Sequence, residues 1–182
     1  MKIALYCGAR KGNDPTYVEL ARNVARTLAQ RGIGIVYGGG NIGLMGEIAE
    51  AAIQTGGEII GIIPGSMVEE ELAHHGITRL EIVSNMHQRK ARIEELSDAF
   101  IALPGGYGTL DELFEIITWR QLKLHHKPIG LLNHQGFYDS LVAFVDHACK
   151  EGFVPGKNRE LLIVANDLET LLSKMINRDS GR

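Results

Sequence analysis

No stretch of this chain approaches the roughly 18 consecutive apolar residues that a membrane-spanning helix needs. The opening segment MKIALYCGARKG has too short an apolar stretch for the core of a signal peptide. A soluble protein that is not exported is the expectation. Charge of one sign is also scarce. With 19 basic against 22 acidic residues the net charge is -3, and the pI is near 6.2, so neither a nucleic-acid duplex nor an anionic membrane finds a broad basic footprint. Any bound anion must be captured locally. There are two cysteines, Cys7 and Cys149, far apart and without metal-ligand spacing. Cys7 sits in an apolar run and reads as a buried free thiol, which fits a reducing cytoplasm. The seven histidines include the pairs His74-His75 and His125-His126, whose members diverge on any regular element, and no H-E-x-x-H or comparable ligand set occurs. Neither a metal nor a cofactor is expected. Repeats, low-complexity segments and linkers are missing, so the chain reads as one nucleotide-binding α/β domain, 1–182, with a frayed polar tail at 177–182.

What the sequence has in excess is glycine. The 22 glycines come to about 12% of the chain against a usual ~7%, and that surplus belongs in loops. Between the loops, short apolar runs bounded by Gly or Pro predict strands: KIALY (2–6), GIGIVY (32–37), EIIGII (58–63), AFIAL (99–103) and PIGLL (128–132). RLEIV (79–83) and LLIVA near Leu161 are weaker candidates. Tyr17, Leu20, Ala21, Val24 and Leu28 recur at helical spacing, and so do Leu110, Leu113, Phe114, Ile117 and Leu124. Nearly continuous apolar strands alternating with amphipathic helices predict a Rossmann-like, doubly wound parallel sheet covered on both faces.

Two glycine loops follow predicted strands. In YGGGNIGLMGE, Gly38, Gly40 and Gly43 satisfy G-x-G-x-x-G, a spacing that lets backbone amides approach a phosphate at a helix start. A tight turn with close helix packing is the alternative. A dinucleotide is disfavoured, because the motif follows the second strand and the next strand ends in proline where an acid for the ribose belongs. PGGYGTLDE repeats the design, with Gly105, Gly106 and Gly108 free to turn several N–H groups toward one anion. Two such loops along the carboxyl edge of one sheet imply a mononucleotide-sized ligand. Thr109 and Glu112 also spell T-x-x-E, a capping box, and Asp111 reads as a solvated first-turn acid.

NMHQRKARIEEL places Arg89 on the stripe of Met86, Ile93 and Leu96 that should face inward. A buried guanidinium needs an anionic partner. Glu112 or a ligand phosphate could supply it, and so could a purely structural ion pair. Lys90 lies at the edge of the stripe, Arg92 lies further round toward solvent, and Trp119 reads as a packing or subunit-contact residue.

In this order, YGGGNIGLMG, MHQRK and PGGYGTLDE resemble the signature segments of the Lonely Guy family. These are the cytokinin riboside 5′-monophosphate phosphoribohydrolases, whose bacterial members were often mislabelled lysine decarboxylases. The likeness runs from YCGAR through ITWRQLKLHHKPIGLLN to GFV. It implies a Rossmann-like homodimer, an AMP-nucleosidase-type N-glycosidase that cleaves AMP or N6-prenylated AMP to free base and ribose 5-phosphate. The family's catalytic arginine falls on Arg89 and its catalytic glutamate on Glu112. Its substrate contacts map to Glu71, Lys90, Thr118 and the loop Gly105, Gly106, Tyr107, Gly108 and Thr109, and the first-loop amides of Gly39 and Gly40 join them around the phosphate. Ala9 and Asn41 depart from the family pattern, at positions that bear on phosphate and base preference.

Ribosyl cleavage develops positive charge on the sugar, which a carboxylate beside the anomeric carbon stabilises while a remote phosphate site fixes the scissile bond. Three rival readings remain at this point. They are a non-catalytic nucleotide or molybdenum-cofactor carrier of the same fold, a pyridoxal-phosphate lysine decarboxylase using Lys90, and an NAD-binding dehydrogenase.

Overall fold

The predicted apolar runs become strands because they can bury both of their faces, except RLEIV at the sheet edge, which stays partly exposed. A computed structural model describes residues 1–68 and 73–179. Its strands are β1 (Lys2–Tyr6), β2 (Gly34–Tyr37), β3 (Ile59–Pro64), β4 (Arg79–Val83), β5 (Ala99–Ala102), β6 (Ile129–Leu132) and β7 (Leu162–Ala165). The helices are α1 (Thr16–Gln30), α2 (Gly43–Gln54), α3 (Met86–Leu96), α4 (Tyr107–Gln121), α5 (Asp139–Lys150), α6 (Gly156–Arg159) and α7 (Leu168–Asp179). The seven strands are all parallel and lie in the order β4-β3-β2-β1-β5-β6-β7.

Alternation along the strands builds two cores. Ile3 and Leu5 of β1 join Ile35, Tyr37 and Ile101 under α1, α2 and α7. Ala4 and Tyr6 join Val36, Phe100 and Ala102 under α3, α4 and α5, where the Tyr6 and Phe100 rings lie 6.1 Å apart and nearly parallel. Removing a large side chain such as Phe100, which is fully buried, costs about 3–5 kcal/mol in such cores.

The strand order positions the site. The chain winds outward from β1 to β4, returns through α3, and continues from β5 on the other side of β1. The neighbours β1 and β5 therefore send their following loops in opposite directions, which opens a crevice at their carboxyl ends.

Two expectations change. Helix α7 extends through Asp179 and takes in residues 177–179, which the sequence pattern assigns to the tail. In α4 the buried residues are Thr109, Leu113 and Ile116, while Phe114 is 37% exposed and Leu124, past the end of the helix, is 68% exposed. This helix is apolar on more than one side, and packing on the sheet selects only one of them.

Candidate active site

One residue, Gly8, joins the loops around the crevice. The Gly8 N–H donates to the Pro104 carbonyl at 3.1 Å, and the Gly8 carbonyl accepts from the Leu44 N–H at 3.1 Å. The loop after β1 is thereby tied to the loop after β5 and to the start of α2. Gly43 makes the second tie possible: its φ is +60°, and a Cβ there would overlap the Ala9 carbonyl. The result is a cleft of about 480 Å³, a size suited to a small ligand. Its walls are Gly8 to Gly12, Gly38, the 104–109 loop with Asp111 and Glu112, and Met67, Met86 and Arg89. Tyr17 and Phe137, edge to face at 5.6 Å, add an aromatic side.

Arg89 reaches the cleft from the first turn of α3. That turn is fixed by Asn85, whose side chain accepts from the Gln88 N–H at 3.0 Å, and by Gln88, which accepts from the Ser84 N–H at 3.1 Å. Arg89 is only 5% exposed. Its Nη1 approaches the sulfurs of Met67 and Met86 at 3.8 and 3.7 Å, and its guanidinium fills the space where a Gly38 side chain would stand. Gly38 therefore makes room for the guanidinium.

Glu112 enters from α4. The capping box does not form, because α4 starts at Tyr107 with Gly106 as its cap and has no side-chain cap hydrogen bond. Thr109 and Glu112 lie inside the helix, and both line the cleft. Asp111 is likewise not a free first-turn acid. Lys90 spans from α3 to Asp111 at 3.2 Å and Glu115 at 3.1 Å, with its side chain 13% exposed. Burial works to lower the Lys90 pKa, but the hydrogen bonds it donates to Glu115 and Asp111 prevail and raise it, so the ammonium stays charged. Burial first, and then the charges of Glu112, Glu115 and Glu94, push the Tyr6 phenol well above its ordinary value. Tyr6 therefore stays neutral beneath these carboxylates.

At the outer wall, Lys11 pairs with Glu47 at 2.7 Å, and Glu47 also accepts from Arg22 Nε at 2.7 Å. Burial opposes ionisation of Glu47, yet these two partners hold its carboxyl below the usual range. Arg92, expected in solvent, binds Glu81 at 2.7 Å and Glu95 at 2.7 Å and so ties α3 to β4. His74 and His125 are buried structural groups. His74 Nε2 meets Glu50 at 3.0 Å, and His125 Nε2 meets the Ile116 carbonyl at 2.9 Å. No cluster of metal-ligating side chains occurs among the described residues. No described helix is long and apolar enough to cross a membrane.

The structure thus brings Arg89, Gly105, Gly106, Tyr107, Gly108, Thr109 and Glu112 to one cleft. Lys90 is engaged with the acids of α4. Thr118 hydrogen-bonds the Phe114 carbonyl at 2.7 Å on an exposed part of α4. Gly39 packs on Ile62 and Ile63, and Gly40 bridges to Ala73; neither belongs to the cleft walls. Glu71 lies outside the described residues. Sequence reasoning missed the cleft roles of the β1 loop, of Tyr17 and of Phe137. The place of Phe137 is fixed by its neighbour Tyr138, whose hydroxyl donates to the Leu103 carbonyl at 2.7 Å. The available signal was topological. Once β1 and β5 are adjacent, the segment after β1 must flank the crevice.

Residues 45–175 match the family model described as "Possible lysine decarboxylase". A cytokinin riboside 5′-monophosphate phosphoribohydrolase of Arabidopsis thaliana is 48% identical over 171 residues, which cover 94% of this chain and 80% of that protein. One from Rhodococcoides fascians is 46% identical over 168 residues, 92% and 85% of the respective chains. Among solved structures, a molybdenum cofactor binding protein of Rippkaea orientalis aligns with a TM-score of 0.72 at 21% identity, over 98% of this chain and 96% of that one. At that identity the likeness shows a common fold alone.

Proposed function

Since the chain belongs to the cytokinin riboside 5′-monophosphate phosphoribohydrolase, or Lonely Guy, family, we propose that it is a phosphoribohydrolase. Its substrates are adenosine-type nucleoside 5′-monophosphates, AMP and N6-prenylated AMP, and its products are free base and ribose 5-phosphate. The observation that carries this reading is the meeting of Arg89 and Glu112 in one cleft at the β1–β5 switch point, beside the glycine loop that opens α4. In this mechanism the glycosidic electron pair leaves with the base nitrogen, which is protonated, and water adds to the anomeric carbon. Glu112 stabilises the positive charge on the ribosyl carbon and takes a proton from the attacking water. Arg89 orients that carboxylate or a ribose hydroxyl. The amides of Gly105 to Thr109 hold the 5′-phosphate, and remote binding there aligns the scissile bond. Met67 and Met86, flanking Arg89, give a soft wall for the base. Lys90 serves as counter-ion to Asp111 and Glu115, so of the two α4 acids that line the cleft it is Asp111 that Lys90 engages, and Glu112 takes the reacting role.

The test is chromatography for free base after incubation with AMP and N6-prenylated AMP. Wild type should release base. Glu112→Gln should still bind AMP while losing about 10²–10⁴-fold in turnover. A wild type that binds AMP but releases no base from either substrate would transfer the case to the carrier reading. We further place the protein in the cytoplasm as a homodimer. Phe114, Leu122, Leu124, Phe144 and Phe153, all exposed on or beside α4 and α5, support an apolar contact face. Light scattering tests that assignment.

A further inference from the structure

We propose that Arg10 is the residue by which this cleft distinguishes a nucleoside 5′-monophosphate from the unphosphorylated nucleoside. The inference rests on the hydrolase reading above and names a specificity determinant outside the three signature segments.

Among the described residues, three cationic side chains line the cleft: Arg10, Lys11 and Arg89. Arg89 is buried against Gly38 and two methionines. The charge of Lys11 is met by Glu47 at 2.7 Å. The Arg10 side chain is exposed and makes no ion pair or side-chain hydrogen bond among the described residues. Its backbone, in contrast, is tightly placed. The Ala9–Arg10 peptide packs directly on Gly43 at the start of α2, and Gly8, two residues earlier, is bonded to Pro104 and lies against Gly105. Arg10 therefore emerges between the amino ends of α2 and α4, where backbone N–H groups and helix dipoles favour an anion.

A second observation marks the same corner. Thr109 is 2% exposed, and its Oγ1 has no protein hydrogen-bond partner among the described residues. That hydroxyl points to the Gly105 backbone, since a Cβ on Gly105 would overlap it. A buried hydroxyl left unpaired costs free energy that a ligand oxygen recovers. A planar guanidinium fork lining the same cleft as a buried hydroxyl and a glycine-rich helix start supplies a donor set for a tetrahedral dianion that has no counterpart in a bare ribose hydroxyl. Because Arg10 is an exposed residue of the β1 loop and the carboxylate assigned to bond cleavage is Glu112 on α4, Arg10 acts on binding and not on bond cleavage.

Wild type, Arg10→Ala and Arg10→Lys are compared on AMP and on adenosine, with thermal melts to confirm folding. For Arg10→Ala the KM for AMP should rise about tenfold to a hundredfold, with kcat within about twofold and with kcat/KM for adenosine unchanged. Arg10→Lys should recover part of the loss, and the AMP KM of Arg10→Ala should respond less to added salt. Titration calorimetry with AMP and with ribose 5-phosphate repeats the comparison without turnover. Unchanged AMP affinity in Arg10→Ala, or an equal loss on adenosine, overturns the inference. A wild type that binds AMP through Arg10 yet releases no base overturns only the hydrolase reading. One that turns over AMP with Arg10→Ala unaffected overturns only the role of Arg10.

Discussion

The loops after β2 and β5 are spelled alike, YGGGNIG and PGGYGT, yet their glycines do opposite work. In the first, side-chain space is already taken: Gly38 yields to the Arg89 guanidinium, Gly39 to Ile62 and Ile63, and Gly43 to the Ala9 backbone. In the second, only Gly105 is crowded, by Thr109 and Gly8, while Gly106 and Gly108 have nothing within 4 Å of the point where a Cβ would stand and are exposed at the cleft. The first loop is an internal joint and the second is an open surface of the cleft. A glycine motif therefore reports that backbone comes close to something, and the strand order decides whether that something is protein or substrate.

Substitutions should separate the two loops. The largest effect is expected for Gly43→Ala, where a left-handed backbone and overlap with Ala9 together cost about 3 kcal/mol in chemical denaturation; a near-native stability would refute the joint. Gly38→Ala should leave the fold largely intact while displacing Arg89, with turnover down about a hundredfold and a melting temperature well above that of Gly43→Ala. Gly108→Ala should do the reverse of both. A methyl group inside the first turn of α4 stabilises the helix by about 0.5–1 kcal/mol, while the KM for AMP rises because the methyl enters the cleft.

The smallest effect concerns the far part of α4, on which the second loop depends. Burial lowers the His125 pKa below its ordinary 6.5, although the hydrogen bond to the Ile116 carbonyl opposes the shift. The Lys127 N–H also donates to His125 Nδ1 at 3.2 Å, a bond that only the neutral ring can accept. The unfolded chain therefore binds the proton more readily, so this contribution is complete above about pH 6.5 and is lost as pH falls through the folded pKa. The melting temperature should drop between about pH 7.5 and pH 5, and His125→Gln should flatten that part of the slope. An unchanged slope would remove His125 from the support of α4.

Much of this architecture was legible in the sequence, and for a definite reason. Strands buried on both faces must be almost continuously apolar, so KIALY, IGLL and even the weaker LIVA stand out from their surroundings, whereas RLEIV, a partly exposed edge strand, gives the fainter signal. Arg89 was legible as a charge on an apolar stripe, and it is indeed buried. The interior face of α4 was not, because Leu113 and Ile116 compete with Phe114 and Ile117 on a helix whose periodicity is blurred. Neither was the β1 loop, since Gly8 to Gly12 become a cleft wall only through the neighbouring of β1 and β5. The T-x-x-E pattern misled in a similar way: with Gly106 as its cap, α4 begins upstream of Thr109, which turns a terminal pair into an interior one.

The guanidinium that stands where residue 38 would carry a side chain couples two positions 51 apart in the chain. Related sequences should then vary at these positions together: any residue larger than glycine at the first should coincide with loss of arginine at the second. A two-letter check of this kind would sort unfamiliar sequences of this fold into those able to host the arginine-dependent pocket and those that have given it up, before a single coordinate is determined.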